Sequence, residues 1–428
     1  MTLVLVLLLI LAALFGLPLF LVLAGVALLL FAGAEISGSA VVIEMLRLAG
    51  SPMLVAIPLF TFAGSLFAES GAPRRLVNLS RELLGWLPGG LSLVALLVCA
   101  FFTAFTGASG VTIVAVGGLL YPALVKSGYP ERFSLGLVTT SGSLGLLFPP
   151  SLPLIIYAYV AGVSVDELFL AGIVPGFLLI GLLFLYGARR GRSVGMQTTP
   201  FRRERAGKAI REAIWEIPLP FVVLGGIYSG GVTVMEAASI TALYALIVEV
   251  LVYRDIRIRQ LPSIVGESMV LVAGILVILA SAFGLTNYLI DAEVPMNMLD
   301  WMQGAFSSKW TFLIALNVFL LIVGSLMDIF SALIVVVPLI LPIARGYGVD
   351  PTHLGIIFLT NLEIGYSTPP IGLNLFISSY RFRRSIVELY RASLPFLAIL
   401  LVALVVITYV PALSLFLVEL VKGGAATP

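Results

Sequence analysis

The sequence predicts an all-α polytopic membrane protein built from two related halves. The chain of 428 residues is 60% hydrophobic and 11% charged, with a mean hydropathy of +1.15, which excludes a soluble globular protein of this size. Two apolar segments are each interrupted by adjacent prolines, Pro149-Pro150 and Pro369-Pro370. They align without a gap at a shift of 220 residues, which indicates an internal repeat.

Each proline pair predicts a broken helix, over 131–161 in the first half and 352–380 in the second. Proline lacks an N–H group and its ring collides with the preceding turn, so a straight helix cannot pass through the pair. Inside a bilayer, irregular backbone survives only where protein or a water-filled cavity covers it. Gly145 and Gly365 match at the same shift. Paired interrupted segments are typical of the binding sites of secondary transporters.

The first half begins with predicted membrane helices and a surface arm. Apolar runs at 2–15, 18–33 and 52–69 predict membrane helices, and the mixed segment 35–49 suits an interfacial helix. Residues 72–88 combine arginines with leucines and a tryptophan, which is typical of an amphipathic surface helix.

A hairpin follows at 91–125, where an apolar segment is interrupted by a small and polar run at 106–110. Each arm has about 15 residues and a length of about 22 Å, which is short for crossing a bilayer. We therefore predict a re-entrant helical hairpin, followed by the broken helix and a span at 167–187. The basic segment 188–211 lacks periodicity and is predicted to be a cytoplasmic loop.

The second half repeats this order, with three spans, a polar surface segment, a re-entrant hairpin and a last span after the broken helix. They are predicted at 213–231, 233–253, 263–290, 292–307, 309–344 and 392–420, with the hairpin tip near 324–330. The chain thus divides into scaffold helices with an arm, a hairpin with a broken helix, a linker, a second scaffold set, and a second hairpin with a broken helix. The predicted bounds are 1–90, 91–187, 188–211, 212–308 and 309–420.

Basic residues predict the orientation of the chain. Twenty of the 24 Lys and Arg residues lie in five segments, 72–88, 126–132, 188–211, 254–260 and 381–391. The positive-inside rule places these segments in the cytoplasm. The first hairpin then enters from the cytoplasm and the second from outside, which makes the repeat inverted. Hairpins that crossed the membrane twice would give the same charge pattern, so charge supports the topology and not re-entrancy.

Signatures of catalysis are missing from the sequence. His353 is the only histidine, and neither a Gly-x-Ser-x-Gly nor a Walker A motif occurs, which argues against an intramembrane enzyme and against ATP-driven pumping. We interpret His353 as structural. A single cysteine, Cys99, excludes a disulfide framework. A channel is a further alternative, but two occluding hairpins favour alternating access.

The hairpin tips and helix breaks are the predicted sodium sites. Sodium is a hard cation, and unwound backbone carbonyls and hydroxyl groups supply oxygen ligands without burying a full charge. The alternative is that glycine and serine here only permit close helix packing. The predicted sodium ligands are Thr106, Ser109, Gly145, Phe148 and Pro150 in the first half, and Gly324, Gly365, Thr368 and Pro370 in the second.

Polar residues beside the same tips and breaks are the candidates for substrate binding. An acidic residue at membrane depth is costly and is therefore a functional candidate, which applies to Asp328 and, with a local hydrogen bond as an equal alternative, to Glu363. Helix N-termini at the tips and after each break offer partial positive charge to a carboxylate. The predicted substrate-binding residues are Ser109, Ser151, Asp328, Asn361 and Asn374.

At these positions the sequence resembles the large membrane subunit of TRAP transporters, the tripartite ATP-independent periplasmic transporters. The family's first tip usually reads Ser-Gly-Ser, whereas here it reads Thr-Gly-Ala, which keeps a hydroxyl group at Thr106 and lacks one at Ala108. The resemblance covers nearly the whole chain. It is carried by motifs at 106–110, 128–129, 142–151, 168–176 and 368–376.

The resemblance implies an elevator-type carrier, in which the hairpins, the broken helices and the spans 167–187 and 392–420 move against a scaffold of the remaining helices. It implies uptake of an organic acid coupled to sodium ions, without a cofactor. It further implies a small four-helix membrane subunit and a periplasmic solute-binding protein as partners, in a bacterial or archaeal cytoplasmic membrane. No nucleic acid is expected. One alternative is a self-sufficient sodium/carboxylate symporter that needs no binding protein.

Overall fold

The computed structural model describes residues 2–193, 200–306 and 308–425, which form 22 α-helices with short 3₁₀ and π turns and contain no strand. Within these ranges, eight helical segments are long and apolar enough to cross a membrane. They become nine if the bent pair Glu131–Leu147 and Leu152–Ala161 counts as one span. The predicted class, an all-α polytopic membrane protein, is confirmed.

The first five helices follow the predicted order. The arm, α5, has a proline in its first turn, where a missing N–H costs nothing. It buries Leu76 and Leu79 and exposes Arg74 and Arg81. The helices are α1 (Thr2–Leu14), α2 (Leu19–Gly33), α3 (Ser39–Ala49), α4 (Ala56–Glu69, preceded by a 3₁₀ turn at Pro52–Val55) and α5 (Ala72–Leu84).

The first hairpin has longer arms than predicted. Its first arm is α6 (Gly90–Thr106) with 17 residues. Its second arm has 18 residues and comprises α7 (Ser109–Thr112), a π turn and α8 (Gly118–Lys126). The predicted arm length of about 15 residues is therefore wrong, and length alone does not argue for re-entrancy. Re-entrancy of the hairpin stays a prediction.

The first broken helix consists of α9 (Glu131–Ser141), a 3₁₀ turn at Leu144–Leu147, and α10 (Leu152–Ala161). Its two parts are bent by 44° at the proline pair. The next span, α11 (Val165–Ser193), is longer than the predicted 167–187.

The prediction that 188–211 is a loop is wrong for most of this segment. Helix α11 continues to Ser193, and α12 (Arg203–Glu212) forms a second helix, while residues 194–199 lie outside the described part of the chain. Helix α12 packs on α5 and buries Ala206 and Ala209. Two buried alanines one turn apart are enough for this packing. They give only a weak apolar periodicity in a basic sequence, so the sequence does not predict the helix.

The second half contains ten further helices. They are α13 (Pro218–Tyr228), α14 (Val234–Leu246, continued by a π turn at Ile247–Val252), α15 (Leu261–Asp291), α16 (Val294–Ala305), α17 (Lys309–Leu326), α18 (Ile329–Gly346), α19 (Pro351–Gly365), α20 (Leu373–Phe382), α21 (Ile386–Tyr409) and α22 (Ala412–Ala425). The single last span predicted at 392–420 is wrong, because the chain breaks at Val410-Pro411 between α21 and α22. The polar segment predicted at 292–307 is a helix, α16, and residue 307 lies outside the described residues.

Two groups of helices can be distinguished by their packing. In one group, α17 packs on α19, α21 on α9, α10 on α18, and both α6 and α22 on α11. In the other, α14 and α15 pack on α4, and α15 also packs on α2 and α3. The first group contains both hairpins and both broken helices, and so the candidate site.

An ion-pair cluster fixes the arm α5 to the second group. The guanidinium group of Arg75 donates hydrogen bonds to Glu216, Glu249 and Asp255, and its carbon lies 3.7 Å from the centre of the Tyr253 ring. The side chains of Glu216 and Glu249 are fully buried. A buried carboxylate is very costly without its partner, so Arg75 holds α5 against the segments around α13 and α14.

Candidate functional site

The first hairpin tip lies against the first helix break. Gly107 ends α6 in the left-handed region with φ +64°, and its N–H donates to the Thr103 carbonyl oxygen at 2.8 Å. A Cβ atom at Gly107 would lie 2.5 Å from the side chain of Leu152, the first residue of α10. The tip thus contacts the broken helix where α10 begins.

Thr103 connects the tip to the break from inside α6. Its hydroxyl group donates to the Gly142 carbonyl oxygen at 2.6 Å and lies 2.7 Å from the Thr112 hydroxyl group. The neighbouring candidate, Thr106, is buried, and its hydroxyl group lies 3.3 Å from the carbonyl oxygen of Ala108. The sequence analysis missed Thr103, because a threonine inside an apolar helix gives no local signal of a contact across 39 residues.

Both repeats contain a close backbone approach between a hairpin arm and a broken helix. A Cβ atom at Gly145 would lie 2.5 Å from the backbone nitrogen of Ala104, and one at Gly365 would lie 2.6 Å from the carbonyl carbon of Gly324. Only glycine permits these contacts. Gly145, Gly324 and Gly365 therefore have a packing function, whatever ligands their carbonyl groups contact.

The second tip is bonded to the second break. The N–H of Gly372 donates to the Ser325 carbonyl oxygen at 3.2 Å, and the Tyr366 hydroxyl group accepts a hydrogen bond from the N–H of Ile329. Both tips therefore contact the breaks of their own repeats.

Hydrogen bonds also join the two broken helices. The Ser143 hydroxyl group donates to the Glu363 carbonyl oxygen at 3.3 Å, and the Asn374 amide donates to the Ser143 hydroxyl group at 3.3 Å. The Thr139 hydroxyl group donates to that of Ser378 at 2.9 Å. Ser143 is a second residue that the sequence analysis missed. Its equivalence to Glu363 at the 220-residue shift was the available signal.

Several buried side-chain atoms at the tips and breaks have no hydrogen-bond partner within the described chain. Four of the five predicted substrate-binding residues contribute one such oxygen each. Glu363 contributes both carboxyl oxygens, so the alternative of a local hydrogen bond from its carboxyl group is not observed among the described residues. Buried polar groups are normally satisfied, and an exception calls for a ligand, ion or water. The atoms in this region are Ser109 Oγ, Ser151 Oγ, Asn361 Oδ1, Glu363 Oε1 and Oε2, Ser367 Oγ and Asn374 Oδ1.

Asn361 belongs to a polar chain through the helices around α19. Its amide nitrogen donates to the Asn317 side-chain oxygen at 2.7 Å, and the Asn317 amide donates to the Thr408 hydroxyl group at 3.1 Å. The ring of His353 lies 3.1 Å from the Ser414 hydroxyl group and 3.2 Å from the Thr408 carbonyl oxygen. His353 is thereby a buried link between α19, α21 and α22, as a structural histidine would be.

Three predicted residues of the second half are already engaged with other groups. The carboxylate of Asp328 caps α18, accepting from the N–H groups of Phe330 and Ser331 at 3.0 Å each, and from the Ser331 hydroxyl group. The Thr368 hydroxyl group donates to the Ile364 carbonyl oxygen at 2.8 Å. The Pro370 carbonyl oxygen accepts from the Tyr390 hydroxyl group at 2.6 Å. Their coordination of an ion stays a prediction.

The two halves of the site differ in exposure. Ser109, Pro150 and Ser151 are buried, and Phe148 is half-buried beside an apolar cavity of about 230 Å³. Asp328 and Pro370, by contrast, are exposed. Gly324, Gly365 and Asn374 of the second half are buried, so only part of the second tip and break lies at the surface of the chain.

Helix N-termini converge on this region. Helices α7, α10 and α20 begin at Ser109, Leu152 and Leu373, and no side chain in the described part of the chain caps any of them. Uncapped N–H groups at a helix N-terminus favour a bound anion. Among the described residues, no group of three or more His, Cys, Asp or Glu side chains could hold a metal ion. The region thus offers neutral oxygens and N–H groups.

Comparisons with known proteins agree over most of the chain. The family model for the tripartite ATP-independent periplasmic transporter, DctM component, matches residues 3–413. The C4-dicarboxylate TRAP transporter large permease protein DctM of Pseudomonas aeruginosa is 39% identical over 366 residues, which cover 85% of this chain and 86% of the relative. The isethionate TRAP transporter permease protein DctMQ of Oleidesulfovibrio alaskensis is 38% identical over 371 residues, covering 85% of this chain and 58% of the longer relative.

A solved structure shares the fold. The crystal structure of the YdaH transporter of Alcanivorax borkumensis aligns with a TM-score of 0.63 over 87% of both chains, at 15% sequence identity. At this identity the likeness concerns the fold alone.

These matches confirm the resemblance seen in the sequence. The relatives are named as permeases, which confirms that the chain is not an enzyme, and with its apolar helices it is a multi-pass inner-membrane protein. Because the family model spans residues 3–413, the chain belongs to the tripartite ATP-independent periplasmic (TRAP) transporter family as its large membrane subunit, the DctM component.

Proposed function

We propose that the chain imports an organic acid, coupled to sodium ions, as the membrane carrier of a three-protein transporter. The observation that carries the proposal is the set of buried, unpartnered oxygens on the first tip and on both broken helices. Such atoms are costly in an apolar interior unless a ligand satisfies them. In a carrier, the transported ion and substrate would provide the missing partners of these oxygens when they bind.

Two sodium sites follow from the donor set. The first uses the tip and break of the first half, where Ser109 Oγ lacks a partner and the Thr106 hydroxyl group lies close to the tip backbone. Backbone carbonyl groups of Gly145, Phe148 and Pro150 complete it. The second uses the backbone of Gly324, Gly365 and Pro370 with the Thr368 hydroxyl group. Neutral oxygens of this kind suit a hard cation.

The substrate is a carboxylate bound between the two breaks. The uncapped N-termini of α10 and α20 favour an anion. The unpartnered amide oxygens of Asn361 and Asn374 accept hydrogen bonds, so they would contact a hydroxyl group of the substrate and not its carboxylate. Ser109, Ser151 and Asp328 complete the proposed substrate contacts. The P. aeruginosa relative is named for C4-dicarboxylates, which supports a small dicarboxylate as the first substrate to test.

The movement is of the elevator type. The hairpins, the broken helices and α11, α21 and α22 form the transport domain, and the other helices form the scaffold. The packing within each group supports this division, and the two groups meet where α4 and α5 pack on α6. Arg75 attaches the arm α5 to the scaffold side of this contact. The two halves form an inverted repeat, so that each hairpin closes the site from one side.

Two partners complete the transporter, a small four-helix membrane subunit and a periplasmic solute-binding protein. This chain covers only 58% of the relative named DctMQ, which supports a small membrane subunit as a partner of the region that the two proteins share. The alternative, a self-sufficient symporter, predicts uptake without either partner.

The test is uptake of radiolabelled succinate into vesicles that contain the chain and the small subunit, with the binding protein outside. An inward sodium gradient should drive uptake, and replacement of sodium by choline should abolish it. Equal uptake driven by a proton gradient in sodium-free buffer would contradict sodium coupling.

A further inference from the structure

An open cleft of about 690 Å³ lies at the C-terminal end of α11, apart from the candidate site. Its walls are the end of α11 and the loop that joins the arm α5 to the hairpin arm α6. The loop contributes Leu87 and Pro88, and α11 contributes Leu185, Arg189 and Arg192 among others. The basic segments at this end of α11 place the cleft at the cytoplasmic surface by the positive-inside rule.

The two walls are held together by close packing. Gly89 has φ +81°, and a Cβ atom there would lie 2.5 Å from the Cα atom of Ala188. A Cβ atom at Gly187 would lie 2.2 Å from the hydroxyl group of Ser92. The loop and the start of α6 therefore pack directly on α11, and this packing defines the shape of the cleft.

The cleft is basic and contains two guanidinium groups that have no partner among the described residues. Leu185, Arg189 and Arg192 are spaced four and three residues apart, which places them on one face of α11. Both arginines are exposed. Neither forms an ion pair or a side-chain hydrogen bond with the described part of the chain, and no acidic residue lines the cleft.

Apolar side chains lie beside this charge. Leu185 is 64% exposed and Trp86, in the adjoining loop, is 50% exposed. On a helix of 29 residues that crosses the membrane, an exposed leucine one turn before the arginines lies where acyl chains end and headgroups begin. Tryptophan is typical of the same interface.

We propose that this cleft binds the phosphate headgroup of an anionic phospholipid from the cytoplasmic leaflet. Arg189 and Arg192 contact the phosphate oxygens, and Leu87 and Leu185 contact the upper part of the acyl chains. Basic pockets between membrane helices on the cytoplasmic side bind such headgroups, and guanidinium groups form charge-assisted hydrogen bonds with phosphate. The bound lipid links α11 to the loop between α5 and α6 and stabilises their contact.

A competing explanation is that both arginines only mark the cytoplasmic end of α11 and interact with its dipole. That explanation requires no lipid preference and no cleft. The two explanations are distinguished by comparing the lipid binding of variants that lack arginines inside the cleft with that of variants that lack arginines outside it.

The experiment measures lipid binding by the purified, delipidated full chain in detergent. Phosphatidylglycerol, phosphatidylcholine with the same acyl chains, and inorganic phosphate are each titrated, with native mass spectrometry and the melting temperature as readouts. The binding variant is R189Q/R192Q. The matched control is R203Q/R205Q, which removes two exposed basic charges from α12 outside the cleft.

Phosphatidylglycerol should bind and raise the melting temperature of the wild type and of the control, whereas phosphatidylcholine should do neither. Its affinity for R189Q/R192Q should be about 25- to 30-fold lower, since each basic residue near an anionic headgroup contributes about fivefold. The single variant R192Q should fall between, which keeps the test valid if the double variant is unstable.

Equal phosphatidylglycerol binding by R189Q/R192Q and the wild type would overturn the proposal, as would equal binding of phosphatidylcholine. Inorganic phosphate acting as strongly as phosphatidylglycerol would assign the cleft to a free anion and overturn the lipid assignment. None of these measurements involves transport, so the inference stands or falls separately from the proposed function.

Discussion

Ser143 and Glu363 occupy equivalent positions in the two repeats, 220 residues apart, and the Ser143 hydroxyl group donates a hydrogen bond of 3.3 Å to the Glu363 carbonyl oxygen. Equivalent residues related by a twofold axis can touch only close to that axis. The contact is therefore what an inverted repeat would produce at its centre, between the two breaks. The unpartnered carboxyl group of Glu363 lies at this centre as well.

The approach of Gly365 to Gly324 should not tolerate a methyl group. A Cβ atom at Gly365 would lie 2.6 Å from the backbone of Gly324, and backbone cannot move away as a side chain does. We expect Gly365→Ala to lower stability by about 1–3 kcal/mol, as overpacking of a core does, and to lower the melting temperature in detergent.

The matched control is Gly274→Ala on α15, where nothing lies within 4 Å of the added Cβ atom. It should leave the melting temperature unchanged or raise it slightly. If Gly365→Ala is as stable as this control, the close packing of the second tip on its break is not as described.

Loss of the Arg75 side-chain charge should destabilise the attachment of the arm. Arg75→Gln leaves the buried carboxylates of Glu216 and Glu249 without their cation, and breaking a buried pair costs about 3–5 kcal/mol. The melting temperature should fall clearly, while Arg74→Gln on the exposed face of the same helix should have little effect. Equal stability of the two variants would show that the ion-pair cluster does not anchor α5.

Much of the fold was predictable because its signals are local in sequence. Each proline pair predicts a helix break whatever the surrounding structure is. The match of Gly145 with Gly365 at the 220-residue shift is also visible in the sequence alone. The hydrophobicity pattern does not predict the break at Pro411, because the apolar run continues through it. Such a pattern does not reveal that proline lacks a backbone N–H donor.

The site was less predictable, because its contacts join distant segments. The sequence predicts Asp328 as a substrate-binding residue, and the structure shows in addition that its exposed carboxylate caps α18. The sequence Asp-Ile-Phe-Ser contained that signal, since aspartate is a favoured N-cap residue. The hydrogen bond between the side chains of Asn361 and Asn317 joins residues 44 positions apart, and no local sequence pattern predicts it.

Removal of the Thr106 hydroxyl group should weaken sodium dependence. Thr106 is buried at the first tip, and its hydroxyl group is one of few side-chain oxygens there. Loss of one neutral ligand worth about 1 kcal/mol raises the half-saturating sodium concentration about fivefold. Uptake by vesicles across a sodium series should show this shift for Thr106→Ala at normal expression, and Thr106→Ser should resemble the wild type. A half-saturating concentration that does not change would remove Thr106 from the sodium site.

Replacement of Asp328 by asparagine tests charge against capping. Asparagine caps helices about as well as aspartate, so Asp328→Asn should fold normally, and we expect transport to be largely lost because the negative charge at the tip is gone. Asp350→Asn is the matched control. Asp350 caps α19 through the N–H groups of Thr352 and His353, at 2.8 and 3.0 Å, away from the tips. Near-normal uptake by Asp328→Asn would leave Asp328 as a cap alone.

The isolated chain should not transport substrate. The connections that face outward are short among the described residues, as between α10 and α11 at 162–164 and between α13 and α14 at 229–233. Such connections are too small to capture a scarce solute. Scaffold helices also expose apolar side chains, for example Phe221 at 72% and Leu243 at 59%, where a small membrane subunit can pack through close helix contacts.

Vesicles with the chain alone should therefore show background uptake of succinate under a sodium gradient. Adding the small subunit and the binding protein should restore transport, and either partner alone should not. The chain's folded state is checked by its melting temperature in each preparation, so that unfolding is not mistaken for inactivity of the folded chain. Comparable uptake of free succinate by the isolated chain would replace the three-protein transporter with the self-sufficient symporter.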